Sequence, residues 1–296
     1  MIGAYMDAKL EGIMSTYATV TQKDEAFFFE FGDRVRNTSH SSSGSSYAKA
    51  LIEALLSEDE GEDAFAQLID SNASDLAMEC ELDHELRRFI ITGLQLGITH
   101  KNSICALTFG VLYYNGQIVS QNYSAARDLY ELAAALGSTQ AAINLGSIYE
   151  DGHTAEPDYA RAYLWYSFAV GVSDAPEALY KMGDLYAHQY IPGATIQMAF
   201  SMWIASLEEA SEKNYVDDKA QAALRIAPYY VDPDKAKQVG VEVDLMWALH
   251  LYHEAEIGLR VSIEHGQTQC KKRLQEALDG QKRVRRLLDG PDFLSE

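Results

Sequence analysis

Two short patterns in the sequence contain residues that could carry out catalysis. Ser46 to Lys49 fit the SxxK pattern of penicillin-recognising enzymes, but they lie in a serine-rich run and the partner motifs are missing. We interpret this match as chance. His250, His253 and Glu254 have helical spacing, yet they do not form the HExxH arrangement that places two ligands and a base around zinc. We therefore expect a partly exposed helix surface there, and a chain that is not an enzyme.

The three cysteines give no indication of a metal site or a disulfide framework. The number of cysteines is odd, and the spacing of Cys80, Cys105 and Cys270 matches no metal-ligand pattern. We expect reduced, buried thiols. The sequence also has no glycine-rich phosphate loop, calcium loop or nucleophile elbow, so we predict no metal and no cofactor.

The composition is that of an ordinary globular protein. The 296 residues are 47% hydrophobic, with a formal net charge of −20 that disfavours binding to nucleic acid phosphates. No stretch approaches the roughly 20 apolar residues that span a bilayer, so we expect no membrane insertion. Asp7, Lys9 and Glu11 interrupt any secretory signal near the start. We expect a cytoplasmic protein, with the periplasm or a dedicated secretion route left open.

Acidic and basic residues are unevenly distributed along the chain. No Lys or Arg occurs between Lys49 and Arg87, which suits either a basic partner or a plain solvated face. Acidic residues that fall in this segment include Glu58, Asp59, Glu60, Glu62, Asp63, Asp70, Asp75, Glu79, Glu81, Asp83 and Glu85. The basic residues crowded near the end of the chain are Lys271, Lys272, Arg273, Lys282, Arg283, Arg285 and Arg286. They could dock an acidic partner or the acidic segment of a second copy, as in a homodimer.

An internal repeat covers the middle of the chain. Residues 103–137 align with residues 139–173, and every matched pair is 36 residues apart. The pairs are Gly110 and Gly146, Tyr113 and Tyr149, Gly116 and Gly152, Tyr123 and Tyr159, Ala126 and Ala162, and Tyr130 and Tyr166. A further step of 37 residues reaches Gly183, Tyr186, Ala199 and Trp203.

Each repeat predicts two antiparallel helices. In the first helix, apolar and small residues recur at intervals of three and four, and Gly116 or Gly152 follows where a left-handed C-cap is expected. The second helix opens with Asn122, Asp158 or Thr195, which are residue types that accept a hydrogen bond from a helix start. A buried stripe of small and aromatic residues follows them.

A weaker fourth pair is predicted further along. Asp244, Ala248, Tyr252 and Ala255 repeat the intervals of the second-helix stripe. The first helix of this pair is expected near residues 218–230, where prolines end it early. A polar terminal helix after Gly266 would cap the array.

The segments AINLGSIYEDG and DYARAYLWYSFAVG show which family the repeats resemble. Residues 103–206 are similar to Sel-one-like repeats (SLR), relatives of tetratricopeptide repeats (TPR). The resemblance implies an all-α, right-handed α/α superhelical solenoid of antiparallel helix pairs. We expect a helical N-terminal extension before it, from the apolar stripes in the first 80 residues. Similar proteins are mostly bacterial scaffolds and adaptors, including secretion-system effectors and immunity proteins of lipase toxins.

The first 80 residues lie outside the resemblance. Two apolar stripes there predict two helices, and a β-hairpin through residues 19–21 and 27–31 is the alternative. The serine-rich run Thr38 to Ser46 is expected to be a flexible linker, and residues 47–80 to add two or three short capping helices. The aromatic N-terminus would dock on the solenoid, in cis or on another copy. We thus expect boundaries at 1–46, 47–102, 103–206 and 207–296.

The family geometry also implies a partner-binding surface. In the related tetratricopeptide arrangement the first helix of each pair lines a concave face. The residues carried over to that face are Thr108, Tyr114, Asn115, Gln140, Asn144, Ser147, Glu150, Asp151, Glu177, Tyr180, Lys181, Asp184 and His188. Their polar, acidic character would suit a basic peptide, whose backbone Asn144 could clamp, and a solvated face without ligand is the alternative. We expect a scaffold or adaptor for another protein, an immunity protein against a toxin as the alternative, and an enzyme last.

Overall fold

The computed structural model describes residues 2–37, 46–56 and 61–290. Within these ranges the chain is all-α, with sixteen α-helices, two short 3-10 helices and no strand. The chain divides into two compact units, unit 1 (Met1–Pro157) and unit 2 (Asp158–Glu296). The expected domain boundaries and the handedness of the solenoid stay predictions. No helix in the described ranges is long and apolar enough to cross a membrane.

Unit 1 contains nine of these helices. They are α1 (Ile2–Tyr17), α2 (Gln22–Asn37), α3 (Ser46–Leu55), α4 (Gly61–Ser71), α5 (Ala73–Leu82), α6 (His84–Thr99), α7 (Ser103–Asn115), α8 (Tyr123–Ala135) and α9 (Thr139–Asp151). The three short helices α3 to α5 agree with the number predicted for residues 47–80, and their capping role stays a prediction. Of the expected serine-rich linker only Ser46 is described, at the start of α3, and residues 38–45 lie outside the described ranges.

The N-terminal segment is helical, so the β-hairpin alternative is wrong. Thr21 and Asp24 explain why a helix forms: the Thr21 hydroxyl accepts from the Asp24 amide at 3.2 Å, and the Asp24 carboxylate accepts from the Thr21 amide at 3.2 Å. This exchange satisfies donors at the start of α2. Phe28 and Phe31 are buried and pack against Phe89 of α6, with ring centroids 4.6 and 4.9 Å away.

Helix α1 docks in cis on unit 1. It packs against α6 and α8, and its Lys9 forms an ion pair with Glu131 of α8. The Tyr17 ring meets the edge of Tyr113 at 6.2 Å. Burial, followed by the nearby Asp128 carboxylate, raises the pKa of Tyr17 to about 12. Of the two docking modes expected for the N-terminus, the structure has the one within the same chain.

Unit 2 contains the other seven α-helices. They are α10 (Tyr159–Ser173), α11 (Pro176–Ala187), α12 (Ile196–Glu212), α13 (Val216–Ile226), α14 (Pro233–Val239), α15 (Leu245–Glu264) and α16 (Lys271–Asp289). The predicted fourth pair is present as α13 and α15. A 3-10 turn at Ala227–Tyr230 and the short α14 separate its two members, as the prolines indicated.

The predicted caps are all in place. Asn122, Asp158 and Thr195 each accept a hydrogen bond from a backbone amide three residues later. Gly116 and Gly152 end α7 and α9 in the left-handed conformation, at φ 70° and 69°. Short polar residues and glycine therefore set the helix boundaries of the repeats.

Glycines inside the first helices allow close packing of the aromatic residue in the following helix. A Cβ atom on Gly110 would lie 2.6 Å from the ring of Tyr130 in unit 1. In unit 2, a Cβ atom on Gly183 would lie 2.5 Å from Nε1 of Trp203. The repeat keeps a glycine at this position because any larger residue would displace the ring.

Candidate partner-binding site

The residues considered for catalysis are placed on separate surfaces or in the core. Lys49 is exposed on α3, and His250 and His253 are exposed on α15, 3.9 and 3.8 Å from glutamate oxygens of the same helix. In the ranges that the structure describes, no group of three His, Cys, Asp or Glu side chains could hold a metal ion. All three cysteines are buried free thiols, and burial raises the pKa of Cys80 to about 11.

In unit 1, one predicted surface residue belongs to the core. Thr108 is 3% exposed, and its hydroxyl donates to the Ala66 carbonyl at 3.5 Å. The prediction that Thr108 contacts a partner is wrong, because α4 packs against that side of α7. Asn115 is exposed at the end of α7 and donates to Gln117 at 3.2 Å.

The aromatic residues near the end of α7 form one cluster. The Tyr114 hydroxyl hydrogen-bonds Nε2 of His153 at 2.9 Å, and the Tyr123 ring stacks on His153 with centroids 4.4 Å apart. The exposed Asp151 carboxylate lies 3.6 Å from the same nitrogen. Tyr114 therefore has its polar partner inside unit 1.

The polar residues of α9 are also engaged with neighbours. Gln140 donates to the Asn144 carboxamide at 3.2 Å, and Asn144 in turn hydrogen-bonds the buried Tyr130 hydroxyl. A backbone clamp by Asn144 would have to displace these bonds. Ser147 and Glu150 are half-buried on the same helix.

In unit 2, Asp184 has a structural role. Its two carboxylate oxygens accept from Nε and Nη2 of Arg225 at 2.7 and 2.6 Å, and the Trp203 indole donates to it at 3.1 Å. Arg225 also lies over the Tyr180 ring, 4.5 Å from its centroid. Asp184 thus joins three helices, α11, α12 and α13. Nδ1 of the exposed His188 is 2.8 Å from the Asp184 carbonyl oxygen.

Glu177 and Tyr180 of α11 meet residues of α13 and α15 around a cavity of about 440 Å³, which we name the acidic pocket. Lys181, on the same helix, is half-buried. The lining residues of the acidic pocket are Glu177, Tyr180, Tyr215, Val216, Asp217, Asp218, Gln221, Val261, His265 and Gln267. This pocket lies entirely within unit 2.

Three carboxylates face the acidic pocket. The Asp217 carboxylate accepts a hydrogen bond from the Ser262 hydroxyl at 2.6 Å. Burial, followed by repulsion from Glu177 and Asp217, raises the pKa of Asp218 from 3.8 to about 7. In the described part of the chain, Asp218 has neither an ion pair nor a side-chain hydrogen bond. Asp218 therefore lacks a cationic partner among the described residues, and burial holds its carboxyl partly protonated near neutral pH.

Tyr180 closes the inner side of the acidic pocket. It is 6% exposed, because Arg225 and α13 cover its ring, and it lines the pocket instead of an open surface. Its role as a partner contact stays a prediction. Burial raises the pKa of Tyr180 well above its usual value. Among the residues described, none hydrogen-bonds its hydroxyl. At the rim, Tyr215 is 52% exposed.

Sequence reasoning missed most of the acidic pocket. Asp217 and Asp218 carried a signal, as adjacent acidic residues at the start of a predicted helix, but that pattern is also what a helix N-terminus favours. Nothing local indicated that His265 and Gln267, at the far end of α15, would face them. Only Glu177 and Tyr180 were predicted as site residues.

The two charged segments noted in the sequence have partly internal roles. Glu62 contacts His100 at 2.5 Å, and Asp63 accepts from Asn102 at 2.5 Å. Glu58 to Glu60 lie outside the described ranges. On α16, Arg273 donates to the Gln221 carboxamide beside the acidic pocket. The remaining basic residues of α16 are exposed.

Comparison with known proteins identifies the repeats. Residues 109–138, 139–170 and 176–190 match the Sel1 repeat. The crystal structure of a Sel1 repeat protein from Oxalobacter formigenes is similar, with a TM-score of 0.54 and 17% identity over 86% of this chain and 98% of that chain. A further structure is c5321, a protective antigen present in uropathogenic Escherichia coli strains that displays an SLR fold. Its TM-score is 0.37, with 16% identity over 79% of this chain and 64% of that chain.

No curated protein is significantly similar to this chain. The three repeat matches nevertheless confirm the resemblance inferred from the sequence, and the fold is an all-α helical repeat solenoid. Sel1 repeat proteins generally act as scaffolds for protein–protein interaction, and the fold is typically not enzymatic.

Proposed function

We propose that this Sel1-repeat chain is a scaffold or adaptor that binds a basic partner protein or peptide at the acidic pocket of unit 2. One observation carries the proposal: Glu177, Asp217 and Asp218 converge on a single cavity, and Asp218 has no counter-ion among the residues described. A basic partner would supply the missing positive charge. The net charge of −20 would also speed the approach of such a partner.

Unit 1 offers a weaker case for the main binding surface. Its first-helix residues Tyr114, Gln140 and Asn144 already hydrogen-bond neighbours within the unit. A partner binding there would have to replace bonds that exist, whereas at the acidic pocket it would add bonds that are absent. For this reason we assign the main contact to unit 2.

Affinity capture with matched variants tests the proposal. The bait variant is Glu177→Gln/Asp217→Asn/Asp218→Asn, which removes the charge but keeps the side-chain shape. The control is Glu208→Gln/Glu242→Gln/Glu264→Gln, which removes the same charge from three exposed positions. Asp184 stays unchanged, since it holds Arg225. We expect a partner that wild type and control retain and the pocket variant loses.

The captured partner would then be purified and its affinity measured at several salt concentrations. Binding that weakens with salt in wild type, and more steeply than in the pocket variant, supports the electrostatic contact. A partner that binds the pocket variant and wild type equally contradicts the proposed site.

A further inference from the structure

We propose that the acidic pocket is a receptor for one lysine or arginine side chain of the partner, whose cationic nitrogen binds the Asp218 carboxylate and the Tyr180 hydroxyl. This inference rests on the proposed function, because it names the chemical group through which a basic partner is recognised. Such a receptor needs acceptor atoms, here those of Asp218 and Tyr180, that accept no hydrogen bond from another residue of the described chain.

The first observation is the hydroxyl of Tyr180, which has no hydrogen-bond partner among the described residues. The residue is 94% buried and lines the acidic pocket. An ammonium or guanidinium donor entering the pocket would satisfy this hydroxyl.

The second observation is that nearby arginines do not neutralise the pocket. Arg225 is fully engaged by both carboxylate oxygens of Asp184. Arg273 donates to the Gln221 carboxamide. Neither arginine pairs with Asp218, so a cation from outside would be its first charged partner and would favour the deprotonated carboxylate.

The walls of the acidic pocket suit the stem of a long cationic side chain. Val216 and Val261 give apolar surface for its methylene groups. Tyr215, half-exposed at the rim, offers a ring face to a cation. An anionic side chain would be repelled, and a neutral one would leave the carboxylate unpaired.

Titration with small probes, followed by nuclear magnetic resonance of the full chain, tests the receptor directly. The probes are N-acetyl-lysine N-methylamide and N-acetyl-arginine N-methylamide, and N-acetyl-norleucine N-methylamide is the neutral control. We expect saturable shifts of the Val216 and Val261 methyl signals with the cationic probes alone. The ratio of the two dissociation constants states which cation the pocket prefers.

Two conservative variants and a matched control complete the test. Asp218→Asn should weaken binding of the cationic probes about tenfold, as expected for loss of a close charge pair. Tyr180→Phe should weaken it about threefold, since one hydrogen bond is lost. Glu208→Gln, which removes an exposed carboxylate elsewhere, should leave it unchanged. Circular dichroism confirms that each variant folds.

Several results would overturn the receptor. If the norleucine probe shifts the methyl signals as much as the cationic probes do, the site is apolar. If Glu208→Gln weakens binding of the cationic probes as much as Asp218→Asn does, the probes respond only to the overall negative charge of the protein. If the probes do not bind but the captured partner still needs the three carboxylates, the proposed function stands and the side-chain receptor fails. If the probes bind and capture yields no partner, the proposed function fails alone.

Discussion

The helices α9 of unit 1 and α11 of unit 2 share one repeat register, but they carry different residue types at one matched position. Ile143 of α9 and Tyr180 of α11 are 37 residues apart, as are Gly146 and Gly183. Both side chains are buried, at 4% and 6% exposure. In unit 1 the position holds an apolar residue that needs no partner. In unit 2 it holds a hydroxyl that, within the described part, has none.

The ring stacks at the repeat edges do not differ in this way. Tyr123 stacks on His153 at 4.4 Å in unit 1, and Tyr159 stacks on Tyr190 at 3.8 Å in unit 2, with the rings nearly parallel in both. The stacks support the same scaffold in each unit. The proposed site therefore lies where a polar residue replaces an apolar one at a position that the repeat buries.

The largest effect is expected from Asp184→Ala. The variant leaves Arg225 without its carboxylate in a place where the two side chains are only 13% and 19% exposed. Removing one partner of such a pair costs about 3–5 kcal/mol, so the free energy of unfolding should fall by that amount. Urea denaturation measures it. Glu208→Ala, at an exposed position, should stay within about 0.5 kcal/mol of wild type. A loss below about 1 kcal/mol in Asp184→Ala would show that Asp184 is not structural.

The glycine contacts test whether the two units share the same packing. Gly110→Ala would press on Tyr130, and Gly183→Ala would press on Trp203. Overpacking of this kind costs about 1–3 kcal/mol, so both variants should lower the melting temperature. Gly171→Ala is the control, because a Cβ atom there meets nothing within 4 Å. It should leave stability unchanged or raise it by up to about 1 kcal/mol.

The helix boundaries of the repeats could be predicted because their causes are local. Asn122 and Asp158 act within three residues of themselves, and Gly152 acts on the turn where it stands. Pro228 likewise ends α13 at Ile226 whatever surrounds it. Each of these residues determines structure through its own backbone, so no knowledge of tertiary packing is needed.

Burial and the site could be predicted only in part because they depend on packing between distant segments. The apolar periodicity of α7 predicts that Thr108 lies on the exposed face of the helix. In the structure α4, about 40 residues earlier in the chain, covers that face. The acidic pocket brings together Asp218 and His265, which are 47 residues apart. No spacing rule within one helix pair connects such residues.

Removing the charge of Asp218 should stabilise unit 2 at neutral pH. The folded pKa of about 7 exceeds the ordinary 3.8, so the native chain holds a proton that the unfolded chain releases. Wild-type stability should therefore fall as pH rises from about 4 to about 7, then level off. The other titratable groups that line the pocket are Glu177, Tyr180, Tyr215, Asp217 and His265, and Arg273 hydrogen-bonds Gln221 of the same lining.

Asp218→Asn should consequently unfold with a free energy about 1–2 kcal/mol higher than wild type at pH 8, and almost unchanged at pH 3. Urea titrations at both pH values measure the difference. Glu264→Gln, an exposed carboxylate on α15, is the control and should show no such pH dependence. A lower stability of Asp218→Asn at pH 8 would show that this carboxylate has a cation partner in the free protein.

The smallest expected effect compares the two units through the loss of one tyrosine hydroxyl in each. Tyr114→Phe removes a hydroxyl that hydrogen-bonds His153 at 2.9 Å and should lower the free energy of unfolding by about 0.5–1.5 kcal/mol. Tyr180→Phe removes a hydroxyl without a partner in the described ranges and should lower it by less than about 0.5 kcal/mol. Urea denaturation of both variants, without any probe present, gives the two values. If Tyr180→Phe lowers the free energy of unfolding as much as Tyr114→Phe does, the Tyr180 hydroxyl is hydrogen-bonded within the free protein and is not available to bind a ligand.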